Sequence, residues 1–517
     1  MCSFLIRSAL LLVAGSAAAQ SGPDEAWALC RGGNATQPPD QVIAGCSWLI
    51  ESGTHGTRET AVAYAYRASA RFRTGDLAGA VEDYDAAIHF DRHNPAFWIS
   101  RGALRRVQGD LPVALADLNE AVRLDPRRPD AFEQRGLTRR RRGDAAGALE
   151  DFDAAIGLDP ARAVAFAYRG DVLRSLRRLP EAIADCTEAI RLDPRYAAAY
   201  GLRGHARRAQ GDMAGAIADY TEAARLDPQP AEWFYRRGLV RRDQGDWRAA
   251  EADYTEAIRA DPRHADAHAT RGNARRMLGD FAAARADTDE AIRLNPRSVI
   301  GYNNRGVIRY QTNDLAGAIA DHTEAIRLDP NFVLAYSNRA NARHYSGDRD
   351  GAIADYTEAI RLNPRYRSAW IGRASTRRAV GDLEGALADY QAAYWLPPRS
   401  ASVIANLCIT RYRLGQREEA MMDCASARHE AEADDGWPVA MHAGVLLLDG
   451  DLQAAEEALA EALRREPRNA YAIRLRAVLR ARRGNPIGAA WDIAYARRIS
   501  PWIDILIGDA FGADLLR

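Results

Sequence analysis

The 517-residue chain contains no lysine, so its 70 basic residues other than histidine are all arginine. Codon preference in a GC-rich genome accounts for that choice without invoking a function. An equal 70 acidic residues leave no net charge, which removes the basic excess that nucleic-acid binding needs. The one basic run, Arg139 to Arg142, closes a predicted helix, where cations suit the C-terminal dipole at a solvated end. A phosphate-cradling loop is also missing, because the glycines fall singly at regular intervals. His264 and His268 are four residues apart, but they flank a predicted turn and no third ligand accompanies them. Acidic pairs recur with the sequence period and so single out no general acid or base. No catalytic residue, metal or cofactor is assigned, and the chain is read as non-enzymatic.

Long apolar runs are absent beyond the N-terminus. There, Arg7, the stretch "ALLLVAG" and Ala17-Ala18-Ala19 resemble a secretory leader. Cleavage is expected after Ala19, and the apolar stretch is too short to span a bilayer comfortably. The mature chain is therefore expected to be exported, in the periplasm, with no integral membrane segment.

What the sequence has in abundance is repetition. A Gly-Asp landmark falls at 75, 109, 143, 177, 211, 245, 279, 313, 347, 381, 415, 450 and 484, with steps of 34 and one of 35. At two of these the glycine is replaced, by Arg177 and Asn313, with the flanking pattern in phase. Alanine stands five and twelve residues after all thirteen landmarks, as at Ala216 and Ala223. Seven before, the residue is Gly, Ala or Cys; eleven before, it is usually aromatic, as at Trp98, Phe132 and Tyr302. Apolar spacings of 1, 3 and 4 mark a helix on each side of the landmark. Proline, seventeen residues after it in eleven of thirteen units, ends the second helix.

The period and these small, aromatic and proline positions resemble the tetratricopeptide repeat family. The resemblance implies an all-α fold: antiparallel helix pairs stacked into a right-handed superhelical solenoid, each pair stabilised by its neighbours. It also implies that first helices line a concave groove for an extended peptide or a partner's surface. The chain divides into a leader (1–19), a degenerate N-terminal pair (20–60), thirteen repeats (61–503) and a tail (504–517) read as a helix capping the last open face. Leu446 to Leu448 form either a partner patch or packing against that tail.

One column departs from the family. Eight before the landmark, where a leucine-like residue is usual, eleven units carry arginine, from Arg67 to Arg476; eight after it, twelve carry aspartate. A ladder of Arg–Asp pairs is expected, within a unit or across to the next, because an interior guanidinium needs a partner. Leu407 opposite Asp423 breaks the correspondence.

Cys408 and Cys424 lie seven before and nine after a landmark; Cys30 and Cys46 take the same offsets around residue 37, one period before the first. Two disulfides are expected, Cys30–Cys46 and Cys408–Cys424, each closing a loop of about 17 residues worth about 3 kcal/mol. Cys186, opposite Gly170, stays free.

For ligand contact the resemblance points to slots three, six, nine, ten and thirteen before the landmark. They hold Asn273, Asn303, Asn304, Asn338 and Asn341, with Asn406 further on, amides able to hold a peptide backbone. Three before the landmark, Arg106, Arg140, Arg174, Arg208, Arg242, Arg276 and Arg378 would make the N-terminal half of the groove cationic, suited to acidic segments. Family members that grip a C-terminal carboxylate use lysine, and that activity does not carry over. The expected function is an exported scaffold that binds a protein or extended peptide in its groove. The alternative is an assembly subunit of an envelope or secretion complex that oligomerises through its outer surface.

Overall fold

The structure is a computed structural model and describes residues 22–31, 37–53, 55–512 and 515. The expected leader and its cleavage point lie outside the described residues. Among those described there are 29 helices and no strand.

The chain forms two compact units that meet in sequence between Asp261 and Pro262. The first contains α1 (Pro23–Cys30), α2 (Pro39–Ser52), α3 (Thr57–Arg73), α4 (Leu77–Phe90), α5 (Pro95–Gln108), α6 (Leu111–Leu124), α7 (Pro129–Arg142), α8 (Ala145–Leu158), α9 (Ala163–Ser175), α10 (Leu179–Leu192), α11 (Ala197–Gln210), α12 (Met213–Leu226), α13 (Ala231–Asp243) and α14 (Trp247–Ala260). The second contains α15 (Ala265–Met277), α16 (Phe281–Leu294), α17 (Val299–Gln311), α18 (Leu315–Leu328), α19 (Val333–Ser346), α20 (Arg349–Leu362), α21 (Arg367–Val380), α22 (Leu383–Tyr394), α23 (Ala401–Arg413), α24 (Arg417–Glu430), α25 (Trp437–Asp449), α26 (Leu452–Arg465), α27 (Ala470–Arg482), α28 (Pro486–Ile499) and α29 (Ile503–Phe511). Odd-numbered helices up to α27 are first helices, and each packs against the even-numbered helix that follows it.

The landmark works through backbone geometry. Each first helix from α3 to α27 ends on a residue of positive φ, from 75° to 94° at the eleven landmark glycines, where a Cβ would strain the chain. Arg177 (62°) and Asn313 (66°) are the only non-glycines with positive φ among the described residues, and both occupy the landmark. The following aspartate caps the second helix: Asp76, Asp212 and Asp382 accept from the backbone N–H three residues on. His264, considered above as a metal ligand, caps α15 in the same way, accepting from the Ala267 N–H.

The small residue seven before the landmark lies directly against the residue nine after it. A Cβ on Gly238 would come within 2.6 Å of Tyr254, on Gly170 within 2.8 Å of Cys186 Sγ, and on Gly306 within 2.7 Å of His322. Where both positions are cysteine, the same closeness brings the sulfurs to bonding distance. Cys30 and Cys46 have Cα atoms 4.6 Å apart, and Cys408 and Cys424 5.3 Å. Cys186, facing a glycine, is the free cysteine among the described residues.

The Arg–Asp ladder forms wherever the sequence supplies both residues. All eleven arginines eight before the landmark, from Arg67 to Arg476, bind the aspartate sixteen residues on, at 2.6–2.7 Å. These eleven aspartates are 1–9 % exposed. A second arginine, four before the landmark, binds the same aspartate position at 2.7–3.0 Å in eleven units, sharing it with the first arginine in ten of them. That column answers the irregularity at Leu407, because Asp423 is held by Arg411. The ladder also crosses between repeats. Arg101 reaches Asp85, Arg169 reaches Asp153, and Arg203 and Arg237 reach Thr187 and Thr221 of the preceding pair. The aromatic eleven before the landmark lies under the guanidinium, as Trp98 does under Arg101 at 4.8 Å.

The tail departs from expectation. α29 does not cap the open face of the last pair. It turns back across the first helices α21, α23, α25 and α27. Its apolar residues explain the choice: Ile503, Ile507, Ala510 and Phe511 are buried in the same cluster as Leu446 and Leu447. The Phe511 ring lies against Gly444, where a Cβ would come within 2.2 Å of it. The tail therefore lies on the groove side of its own unit.

Candidate functional site: the first-helix face

In the first unit, the predicted cationic row is partly neutralised. Arg140 and Arg174 share Asp171, and Arg208 and Arg242 share Asp243. Burial pushes the Asp243 carboxyl up, but hydrogen bonds from Arg242 and Arg208 outweigh it and hold the group below the usual range. Neither aspartate belongs to a repeat column, so no pattern announced them. Arg106 is different. It donates to Gln134 Oε1 at 3.1 Å and has no carboxylate partner. Burial, with repulsion from Arg141 and Arg140, holds its guanidinium below the ordinary value. Arg140 stacks over Tyr168, and Arg141 donates to the Arg106 carbonyl. The Nε–H groups of both Arg106 and Arg140 are buried without an acceptor. Arg139 to Arg142 is thus no idle helix end: Arg139 holds Asp151, Arg140 holds Asp171, and Arg142 pairs with Asp144.

In the second unit, the five asparagines do not form a row of free amides. Asn338 Nδ2 donates to Asn303 Oδ1 at 3.0 Å, and Asn303 is itself buried. Asn304 Nδ2 donates to the Ala269 carbonyl at 3.0 Å. Tyr356 donates to Asn341 Oδ1, and Arg276 to Asn273 Oδ1. Arg276 also donates to Gln311 and, like Arg106, lacks a carboxylate; burial lowers its pKa. Of the five, Asn338 and Asn341 line a cavity of about 480 Å³, together with Tyr345, Trp437, Leu506 and Asp509.

That cavity lies beside a clamp that sequence reasoning missed. His344 Nε2 lies 2.9 Å from Asp509 Oδ2, and Arg349 3.4 Å from Oδ1. Arg378 Nε and Arg413 Nη1 each donate to the Asp509 carbonyl at 3.1 Å. Arg378 Nη1 also donates to Asn406 Oδ1 at 3.0 Å. Burial, then repulsion from Arg378, lowers the Arg413 pKa, and Asp509 offsets part of this. At the other end of α29, Asp504 binds Arg474 at 2.7 Å and Arg497 at 2.6 Å. Trp502 packs on Tyr345 with ring centroids 5.1 Å apart. Arg378 and Asn406 stood in the expected slots, but nothing in their columns shows that the chain's own tail uses them.

Among the described residues no helix is long and apolar enough to cross a membrane, and no group of three or more His, Cys, Asp or Glu could hold a metal ion.

The family profile described as "Tetratricopeptide repeat" matches residues 67–129, 99–163, 133–196, 169–231, 235–289, 269–331, 338–402 and 441–501. Similar solved chains include one from the crystal structure of the APC/C hetero-tetramer Cut9-Hcn1, at 16 % identity and TM-score 0.45, covering 88 % of this chain and 96 % of that one. MamA matches at 26 % identity and TM-score 0.28, over 31 % of this chain and 94 % of that one. YrrB, described as a TPR protein with an unusual peptide-binding site, matches at 21 % identity and TM-score 0.31, over 36 % of this chain and 96 % of that one. No curated protein sequence matches the chain.

Proposed function

The chain belongs to the tetratricopeptide repeat family, and from that premise we propose that it is an exported, non-enzymatic scaffold whose first-helix face holds an acidic protein segment. The fold itself is that of a protein-interaction scaffold. The observation that carries the finer reading is the pair of buried, acceptor-less Nε–H groups on Arg106 and Arg140. Arg140 already pairs with Asp171, but the half-buried Arg106 guanidinium has no counter-charge, which is costly, and a carboxylate from a bound segment supplies both the charge and the acceptors. Arg276, with Asn273 and Gln311, offers a similar donor set in the second unit. Two cysteine pairs at bonding distance support an oxidising compartment, in keeping with the leader-like N-terminus.

The test is fluorescence anisotropy with a labelled Glu-rich dodecapeptide at low and moderate salt. Arg106→Gln with Arg140→Gln is expected to weaken binding at least ~10-fold. Arg123→Gln, at an exposed site paired with Glu120, should leave it unchanged. Equal binding by all three proteins would end this reading.

A second reading has its own support. On α28, Ile487 and Trp491 are each 74 % exposed and Tyr495 45 %, forming an apolar stripe with Pro486, Ala490 and Ala494. Such a stripe suits an outer-surface assembly contact. A defined oligomer in light scattering that Trp491→Ala dissolves would favour that reading.

A further inference from the structure

We propose that α29 is a resident stand-in for a partner helix. On this view the first-helix face of the second unit is a receptor for a short amphipathic helix that carries a carboxylate near its C-terminal end. The inference rests on the reading that first-helix faces bind protein segments, but it concerns a different unit and different residues.

Three observations carry it. First, the site recognises helix features. Arg378 and Arg413 converge on the carbonyl of Asp509 in the last turn of α29, where helix carbonyls lack intrahelical partners. His344 and Arg349 take the Asp509 side chain. A lone buried arginine pair would repel; the helix end and its acid compensate both. Second, apolar anchors at Ile503, Ile507 and Phe511 recur at helical spacing and are almost wholly buried, which is the pattern of helix-in-groove recognition. Third, the resident helix underfills its site. The cavity of about 480 Å³ stays open along its Leu506 and Asp509 side, against Tyr345, Asn341 and Trp437. A partner helix with a larger side chain at the Leu506 position makes contacts the tail cannot.

That last point lets a partner compete. The tail holds a tether advantage, equivalent to an effective concentration on the order of millimolar. Its helix has only nine residues, too few to stay helical once released. Better filling of the cavity offsets the tether, so a partner exchanges with the tail instead of adding beside it.

The probes are labelled synthetic peptides of residues 502–515, titrated against the full chain. A peptide carrying Leu506→Trp should bind at least ~10-fold tighter than the unsubstituted one, and one carrying Asp509→Ala should not bind. A full chain with Asp504→Ala and Asp509→Ala, whose tail is loosened, should bind the Leu506→Trp peptide at least ~10-fold tighter than the natural chain does. Equal affinity for the Leu506→Trp and unsubstituted peptides, or no gain from loosening a chain that keeps its helical circular dichroism, overturns the proposal. Hydrogen exchange on the unaltered chain gives a check without any variant. The α29 amides should exchange through a local opening while α25 and α27 stay protected. Exchange of α29 only together with α25 and α27 makes it a fixed part of the core and also overturns the proposal. Failure of the Glu-rich peptide on the first unit, by contrast, leaves these readouts untouched.

Discussion

Replacing Asp219 with alanine tests the ladder most sharply. Its carboxylate, 2 % exposed, receives Arg203 Nη2 at 2.7 Å and Arg207 Nη1 at 2.9 Å. Arg203 in turn reaches Thr187 of the preceding pair. Asp219→Ala leaves two guanidiniums side by side without their anion. Breaking a buried pair costs about 3–5 kcal/mol. The Arg207 side chain is 26 % exposed and can swing towards water, so the lower end, about 3 kcal/mol, is the expected loss. In a repeat array the loss stays near the altered pair and its neighbours. It should appear as amide exchange about 10²-fold faster in α11 and α12, at roughly 1.4 kcal/mol per factor of ten, with α3 and α4 unchanged. Replacing all three partners by apolar residues, Arg203→Leu, Arg207→Met and Asp219→Leu, should restore exchange to within about tenfold, because the desolvation cost leaves with the charges. An acceleration below about fivefold in Asp219→Ala, or a triple variant as damaged as the single one, would refute the reasoning.

Three further outcomes follow from the packing. A non-reducing thiol assay should find no reactive group in the folded mature chain and one after unfolding, because Cys186 is 1 % exposed and burial pushes its thiol up to about 12. His322 is fully buried and both ring nitrogens lack partners; burial lowers its pKa to about 3, from an ordinary value near 6.5. The unfolded chain then binds the extra proton, so this contribution is intact above about pH 6.5 and falls as pH drops towards 3, by about 2–3 kcal/mol at pH 4.5. His322→Tyr, the residue found at this offset as Tyr220 and Tyr254, should remove that part of the acid sensitivity in urea melts. Gly238→Ala should destabilise by about 1–3 kcal/mol in the same melts, because its Cβ would meet Tyr254 at 2.6 Å.

The helix pairs were legible because three independent signals share one period: positive φ at the landmark, an aspartate cap after it, and proline at the exit. Arg177 and Asn313 show that the conformation, and not glycine itself, is what the landmark requires. The first column of the ladder was legible by the same counting. The second arginine column, four before the landmark, is just as regular in the sequence, from Arg71 to Arg480, and its role went unread beside the more conspicuous departure from leucine. The tail was not legible. Its apolar spacing fits any apolar face, and the decision between capping α28 and crossing α21 to α27 rests on Gly444 admitting the Phe511 ring and on arginines from distant repeats meeting one carbonyl. The asparagine slots fall on the first helices α15, α17 and α19, but which amide atoms remain unspent depends on neighbours such as Tyr356 and Ala269.

Arginine at a leucine position also changes what holds successive repeats together. A leucine would contribute burial alone, which any apolar neighbour satisfies. Arg169 instead binds Asp185 within its own pair and Asp153 in the pair before, with Phe166 beneath its guanidinium. Both hydrogen bonding to Asp185 and attraction to the two carboxylates raise its pKa, against the opposing effect of burial. The geometry is satisfied in one register only, because a slip by one residue would bury the cation without its anion. The same rule links the scaffold to its faces. Where the repeat supplies an aspartate, the arginine is structural. On the first-helix face, Asp171 and Asp243 each pair with two arginines, and the tail carbonyls occupy Arg378 and Arg413. Arg106 and Arg276 are left half-buried with amide partners and no anion, and it is on these two unmatched charges that the proposed binding of an acidic segment rests.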